Sequence, residues 1–178
     1  FVGVDPMAVE SDTLLFSETL IRRVAPRSAA AEQGLEPGDV LVAIGGRPVA
    51  SPLDWEVGLL DAGVGTEVDV VYRRDGRDRE ARLLIEELPS ESAEWLQVLA
   101  GLELITLDPQ IAVERRLEVD QGAMITQISQ RNAAYTGMRE GDVILEINRR
   151  KVGSAEDVAD LFQYYSGRGS IRVSIYRS

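Results

Sequence analysis

Short runs of alternating hydrophobic and polar residues fill the chain, and one run of predicted elements occurs twice. Residues 27–44 and 130–147 align without a gap at a constant shift of 103 positions. The same shift relates the alternating segments 68–72 and 171–175. A single offset held over this distance indicates an internal repeat, which predicts two structural units of similar fold.

Each copy is predicted to place a strand before a short helix. The strand covers roughly residues 19–24 or 123–128. Ser28 and Asn132 carry side chains that suit the N-cap of the helix that follows. The helix is expected to end at a glycine, because glycine adopts positive φ at little cost. That glycine is Gly34 in the first copy and Gly137 in the second.

A buried strand and a longer helix complete each copy. Apolar runs predict strands at residues 40–44 and 143–147, and helices are predicted over residues 52–60 and 155–164. The apolar faces of these helices are predicted to consist of Leu53, Val57 and Leu60 in the first copy and of Val158, Leu161 and Phe162 in the second. A final alternating strand returns through a hairpin in the first copy only.

Many short strands with two helices per copy are typical of an α+β unit. We therefore predict two domains, each a small, partly open β-barrel or sandwich capped by two helices. The first covers residues 1–88 and the second residues 99–178, the second without its last strand. Residues 89–98 are acidic and contain proline, so they are interpreted as a linker.

The composition of the chain excludes several classes of partner and of functional site. The net charge of −11 disfavours nucleic acid and anionic lipid as partners. The chain has no cysteine and no histidine, which excludes disulfides, His-dependent nucleophilic triads and the common zinc sites. No apolar run is as long as the about 18 residues that a membrane-spanning helix needs. We expect no catalytic residue, metal or cofactor here, and we expect the chain to be part of a longer protein.

The repeated centre resembles the PDZ domains of HtrA-type bacterial serine proteases. The pattern A-A-x-x-G-L-x-x-G-D-V matches residues 30–40, and residues 133–143 match it with Met138 in place of leucine. This resemblance implies a PDZ tandem in the periplasm or cell envelope. The implied partners are hydrophobic protein C-termini and unfolded segments, a protease domain in the same parent chain, and further copies in an oligomer. The chain would then be a regulatory module that does no catalysis itself.

Two alternatives stay open at this point. The tandem could be a structural or assembly unit whose grooves are degenerate or filled from within. It could also belong to a membrane site-2 protease, because that class carries similar tandem domains. An independent enzyme has no support, since no constellation of catalytic residues is found in the sequence.

PDZ domains take a C-terminal tail as an added strand beside a sheet edge, next to the longer helix. The terminal carboxylate meets a loop of backbone N–H groups that needs a glycine, with the pattern x-Φ-G-Φ. The resemblance implies two such loops, formed by Phe1, Val2, Gly3 and Val4 and by Leu99, Ala100, Gly101 and Leu102. The groove walls are expected to include Leu53 and Val57 in the first copy and Leu104, Val158 and Leu161 in the second.

The two grooves differ in their opening residues. Asp5 and Pro6 follow the first loop directly. Proline has no N–H to donate to an added strand, and the carboxylate of Asp5 would repel that of the ligand. The second loop leads into an uninterrupted strand at residues 102–107. The sequence therefore predicts that the second groove is the better peptide binder.

Overall fold

The computed structural model describes residues 1–10 and 17–178. These residues form two compact units. The first contains Phe1–Pro89 with Val113–Arg116, and the second contains Ser90–Ala112 with Leu117–Ser178. The described residues include no helix long and apolar enough to cross a membrane. Nor do they include a group of three His, Cys, Asp or Glu side chains that could hold a metal ion.

The first unit is an antiparallel sheet with two helices. Its elements are β1 (Val4–Glu10), β2 (Ser17–Val24), α1 (Ala29–Glu32), β3 (Val40–Ile44), β4 (Arg47–Pro48), α2 (Pro52–Ala62), β5 (Glu67–Arg74) and β6 (Arg77–Leu84). The sheet order is β1-β2-β3-β5-β6, and β4 pairs with β3. Strands β1 and β6 are therefore the edges of this sheet.

Local sequence explains where the helices of the first unit begin. The hydroxyl of Ser28 accepts the N–H of Ala31 and so caps α1, as the sequence predicts. Helix α2 begins with a capping box, in which Ser51 and Asp54 each accept the other's backbone N–H, and Pro52 occupies the first turn. Short polar side chains thus satisfy donors that would otherwise lack partners.

The buried face of α2 differs from the predicted one. Trp55 is 1% exposed and packs in the core, whereas Leu53 and Leu60 are 65% and 80% exposed. The sequence prediction placed the leucines on the buried face of the helix. The internal repeat indicates a different buried position. A shift of 103 relates Trp55 to Val158, which is fully buried in the second unit. Because Trp55 faces the core, the helical period places Leu53 and Leu60 on the solvent side of α2.

The second half of the chain repeats the plan with additions. Its elements are α3 (Pro89–Ser92), β7 (Trp95–Leu99), β8 (Leu102–Leu107), α4 (Pro109–Glu114), β9 (Gly122–Ile128), α5 (Gln130–Thr136), β10 (Val143–Ile147), β11 (Arg150–Lys151), α6 (Ala155–Tyr165) and β12 (Val173–Tyr176). The sheet order is β11-β10-β9-β8-β7, and β12 pairs with β10. Helix α6 buries Val158 and Leu161, as predicted.

Two expectations for this half do not match the structure. The range 89–98, interpreted as a linker, holds α3 and most of β7. Asn132 is not the cap of α5, because Ser129 precedes the helix and its hydroxyl accepts the N–H of Asn132. An N-cap must lie outside the helical turn, so a helix that starts three residues earlier places Asn132 within it. Gly137 ends α5 in the left-handed conformation, as predicted.

Candidate functional site

The loop before β1 directs its carbonyl groups into the fold. The carbonyl of Val2 accepts the N–H of Ala30 at 3.0 Å, and that of Gly3 accepts the N–H of Ala25 at 2.7 Å. The hydrogen bonds of the described residues leave the N–H groups of Val2 and Gly3 without an acceptor. Successive backbone N–H groups of this kind can bind an anion such as a carboxylate.

A glycine is required in both loops. Gly3 has a φ of +87°, and a Cβ there would lie 2.0 Å from Oγ of Ser28. Gly101 has a φ of +75°, and its Cβ would lie 2.7 Å from Cβ of Ser129. Each glycine thus packs on a serine that caps a short helix, Ser28 of α1 or Ser129 of α5. Any side chain would strain the backbone and push the loop off the helix cap.

The edge strand of the first unit is open. Among the described strands, β1 pairs only with β2, and helix α2 lies beside it. Apolar side chains are exposed on both elements, namely Met7 and Val9 on β1 and Leu53 and Val57 on α2. A strand edge next to exposed apolar residues has the geometry that accepts an added peptide strand.

The corresponding edge of the second unit is occupied. Strand β8 begins at Leu102, immediately after the loop, and lies between β9 and β7. Leu102 and Leu104 are buried in the core, together with Val158 and Leu161 of α6. The expected free edge is therefore absent from the described structure, because the sequence interpretation treated residues 89–98 as a linker and did not anticipate β7.

Family models confirm what the two units are. Residues 2–85 and residues 125–177 each match a model described as PDZ domain. The chain is a pair of PDZ domains. The predicted α+β fold, an antiparallel sheet with helices that does not close into a barrel, is thereby confirmed for both copies.

Curated relatives are similar to this PDZ tandem along most of its length. A probable periplasmic serine endoprotease, DegP-like, from Marinomonas sp. is 28% identical over 163 residues, which are 89% of this chain and 34% of the relative. A probable periplasmic serine protease do/HhoA-like from Haemophilus influenzae is 27% identical over 139 residues, 78% of this chain and 29% of the relative. The chain thus spans about a third of these relatives. The predicted resemblance to HtrA-type PDZ domains is confirmed.

Two solved structures match parts of the chain at lower similarity. The HtrA3 PDZ domain bound to a phage-derived ligand is 20% identical with a TM-score of 0.41, and the match covers 47% of this chain and 82% of that one. The HtrA-type protease AlgW with a decapeptide, carrying an S227A substitution, is 19% identical with a TM-score of 0.44. That match covers 52% of this chain and 30% of the protease.

The residues after the loop of the first PDZ domain differ from expectation. Asp5 is only 2% exposed, and its carboxylate pairs with the guanidinium groups of Arg22 at 2.7 Å and Arg23 at 3.1 Å. Its charge is therefore compensated within the domain and does not face an incoming ligand alone. The register of β1 and β2 shifts between Asp5 and Pro6, so the proline lies at an irregularity in the ladder.

Asn132 of α5 holds the second loop in place, whereas the sequence predicted that it caps the helix. Its side-chain N–H group donates to the carbonyl of Ala100 at 3.0 Å and approaches that of Gly101 at 3.3 Å. The N–H of Ser129 also donates to the carbonyl of Gly101 at 2.7 Å. These bonds hold the loop against the start of α5. In the sequence, a polar residue one helical turn after the capping serine could have indicated this role.

A buried ion pair recurs in both PDZ domains at the repeat spacing. Arg74 donates to both carboxylate oxygens of Asp39 at 2.6 and 2.7 Å, and to the carbonyl of Gly34 at 2.8 Å. Arg177 makes the same three bonds to Asp142 and to the carbonyl of Gly137. Although Arg74 lies next to a hairpin turn, its side chain is only 20% exposed and is bonded to a buried carboxylate.

These bonds lower the pKa of both aspartates. For Asp142, the hydrogen bonds from the Arg177 guanidinium hold the pKa below its ordinary value. For Asp39, burial raises the pKa, but the bonds from Arg74 and the N–H of Glu36 outweigh that effect and lower it. Both carboxylates therefore stay ionised and serve to join a strand end to the preceding turn.

Proposed function

We propose that the chain is the peptide-recognition part of an HtrA-type serine protease, and that its first PDZ domain is the receptor. The observation that carries the proposal is the open edge of β1, which lies beside the exposed apolar residues of α2 and follows a loop with free N–H groups. The ligand would be the hydrophobic C-terminus of an unfolded or misfolded protein. Catalysis would belong to another domain of the parent chain.

Binding proceeds by strand addition. The peptide backbone pairs with β1 over Met7–Val9, and alternate side chains of the peptide contact the exposed apolar side chains of the strand and of α2. The C-terminal carboxylate accepts the N–H groups of Val2 and Gly3. Main-chain pairing supplies affinity for any sequence, whereas the apolar contacts and the carboxylate select hydrophobic chain ends.

The relatives support a proposal about the parent protein and its location. Their names describe periplasmic serine proteases, and this chain matches about a third of their length. We therefore assign this tandem to a periplasmic parent of that kind, in which peptide binding recruits substrate or regulates the protease domain. These names favour a serine protease over a membrane site-2 protease as the parent.

The test is a titration of the 178-residue chain, followed by amide NMR shifts, with one hydrophobic peptide as the free acid and as the C-terminal amide. We expect shifts at Val2, Gly3 and Met7–Val9 with the acid. Hydrogen bonds to a charged group contribute about 1.5–3 kcal/mol, so the amide should bind about 10- to 100-fold more weakly. Equal affinity of the two peptides, or no shift along β1, would contradict the proposal.

A matched pair of variants tests the helix wall. Val57→Glu places a charge on the exposed face of α2, whereas Val64→Glu changes another exposed valine, which lies beyond the end of that helix. We expect the first variant to weaken peptide binding at least fivefold and the second to leave the affinity unchanged. Weakening by both variants alike would point to net charge instead of a groove contact.

A structural role is the second candidate, and one observation favours it for the second PDZ domain alone. Strand β7 already pairs with the edge of β8 that a peptide would use. A domain in this state contributes to the architecture of the parent without taking an external ligand.

A further inference from the structure

Strand β7 has the position of a bound peptide. It pairs antiparallel with β8, the strand that follows the loop of the second PDZ domain, and Leu96 faces Leu104 in that ladder. Helix α6 packs against both β7 and β8. The edge strand, the longer helix and a strand between them are the components of strand-addition binding. Here all three come from one chain.

The side chains of β7 alternate as those of a peptide ligand would. Leu96 and Val98 are partly buried and pack against the core that contains Leu102, Leu104, Val158 and Leu161. Trp95 and Leu99 are 61% and 48% exposed, and Gln97 is also exposed. The period of two in this burial pattern means that one face of β7 occupies the groove and the other faces solvent.

The direction of β7 also matches that of a bound C-terminus. The strand runs towards the loop, and only Ala100 and Gly101 separate its last residue from the first residue of β8. A free peptide would end at this loop with a carboxylate, whereas β7 continues through it as a hairpin. The connection between β7 and β8 is therefore very short, and this gives β7 a high effective concentration in the groove.

The first PDZ domain differs at the first residue of its loop. There the carbonyl of Phe1 accepts the N–H of Glu86, just beyond the end of β6, at 2.9 Å. In the second domain Leu99 belongs to β7 and pairs with Leu102 instead.

We propose that residues 95–99 are an internal ligand of the second PDZ domain, and that an external hydrophobic C-terminus binds this domain only by displacing them. The proposal rests on the proposed function only in taking a C-terminal peptide as the external ligand. The second domain is thus a latent receptor: it becomes available when β7 leaves the groove, while the first domain binds without such a step.

A disulfide lock tests this arrangement, since the chain has no cysteine of its own. Gln97 and Glu103 are directly opposite in the β7–β8 ladder, so Gln97→Cys with Glu103→Cys should oxidise readily. The control, Glu94→Cys with Glu103→Cys, is three positions out of register and should stay reduced. Oxidation of the control to the same extent as the matched pair would overturn the proposal.

Peptide binding is then compared in the oxidised lock, the reduced lock and a release variant by amide NMR shifts. The release variant, Leu96→Asp with Val98→Asp, removes the buried face of β7, and Gln97→Asp is its control on the exposed face. We expect no shifts along β8 and α6 in the oxidised lock. At β8 and α6, the release variant should bind the peptide at least about tenfold more tightly than the Gln97→Asp control does.

The outcomes separate the two proposals. Shifts along β1 report the first domain in the same spectra, so their absence would count against the proposed function alone. Equal affinity at β8 in the oxidised and reduced locks would overturn the internal-ligand proposal while leaving the first domain untouched. If the release variant loses the amide dispersion of the second domain, the comparison of oxidised and reduced lock decides on its own.

Discussion

The repeated ion pair leads to a sharp prediction about stability. Arg74 lies at the end of β5 and connects it to the turn before β3 through Asp39, which is only 2% exposed. Replacement of Arg74 by Met keeps most of the aliphatic stem but removes the guanidinium group. Asp39 then retains the N–H of Glu36 at 2.8 Å, and the carbonyl of Gly34 loses a donor.

The size of the effect follows from the burial of the carboxylate. Removal of one partner from a buried ion pair costs about 3–5 kcal/mol, because a charge is left uncompensated. Arg74 is 20% exposed, so water reaches part of this pair. Asp39 also keeps one backbone donor. We therefore expect a loss at or below the lower end of this range, about 2–3 kcal/mol of unfolding free energy for the first PDZ domain.

Urea denaturation measures this change. Trp55 is buried in the first domain and reports its unfolding by fluorescence, in a background where the exposed Trp95 is replaced by Phe. With m of about 1–2 kcal/mol/M for a small domain, the midpoint should fall by about 1–3 M. Arg82→Met is the matched control, since Arg82 pairs with Asp69 at an exposed site and should leave the midpoint unchanged. Equal midpoints for wild type and Arg74→Met would refute the reasoning.

Two further changes in the first domain have predictable outcomes. The folded-state pKa of Asp39 is lowered, so its stabilising contribution is complete above about pH 4 and is lost as the pH falls through the folded value. Thermal unfolding between about pH 5 and 2 should therefore be less pH-dependent in Asp39→Asn than in wild type, and parallel curves would disprove this. Gly58→Ala places a Cβ 2.4 Å from Cγ2 of Ile44. Overpacking of about 1–3 kcal/mol should outweigh the helix-propensity gain of about 1 kcal/mol, and the cost should shrink in an Ile44→Ala background.

Local chemistry made much of the fold predictable from the sequence. The strands at residues 40–44 and 143–147 have the predicted bounds, because apolar runs between turn residues allow few alternatives. Gly45 and Gly46 adopt positive φ at the turn between β3 and β4, and so do Asn148 and Arg149 at the equivalent turn between β10 and β11. The repeat supplied independent support, since each copy tests the assignment of the other.

Features that depend on partners distant in sequence were not predictable in the same way. The ion pairs of Arg74 and Arg177 span 35 residues, and a charged residue near a hairpin looks solvated until its partner is known. Strand β7 was missed because an acidic, proline-containing stretch is typical of a linker. Its strand character depends on Leu96 and Val98 finding the core of the second domain.

The two PDZ domains share their scaffold and differ at the edge that would bind a ligand. The Asp–Arg pair, the glycine packed on a cap serine and the capping box of the longer helix occur in both. These features fix the loop and the helix but leave the edge strand without a partner. The first residue of the loop pairs with residue 86 in the first domain, whereas the equivalent residue ends β7 in the second domain. The pairing of this segment, and not the shared scaffold, therefore distinguishes the edge that we propose as a receptor from the edge that we propose as latent.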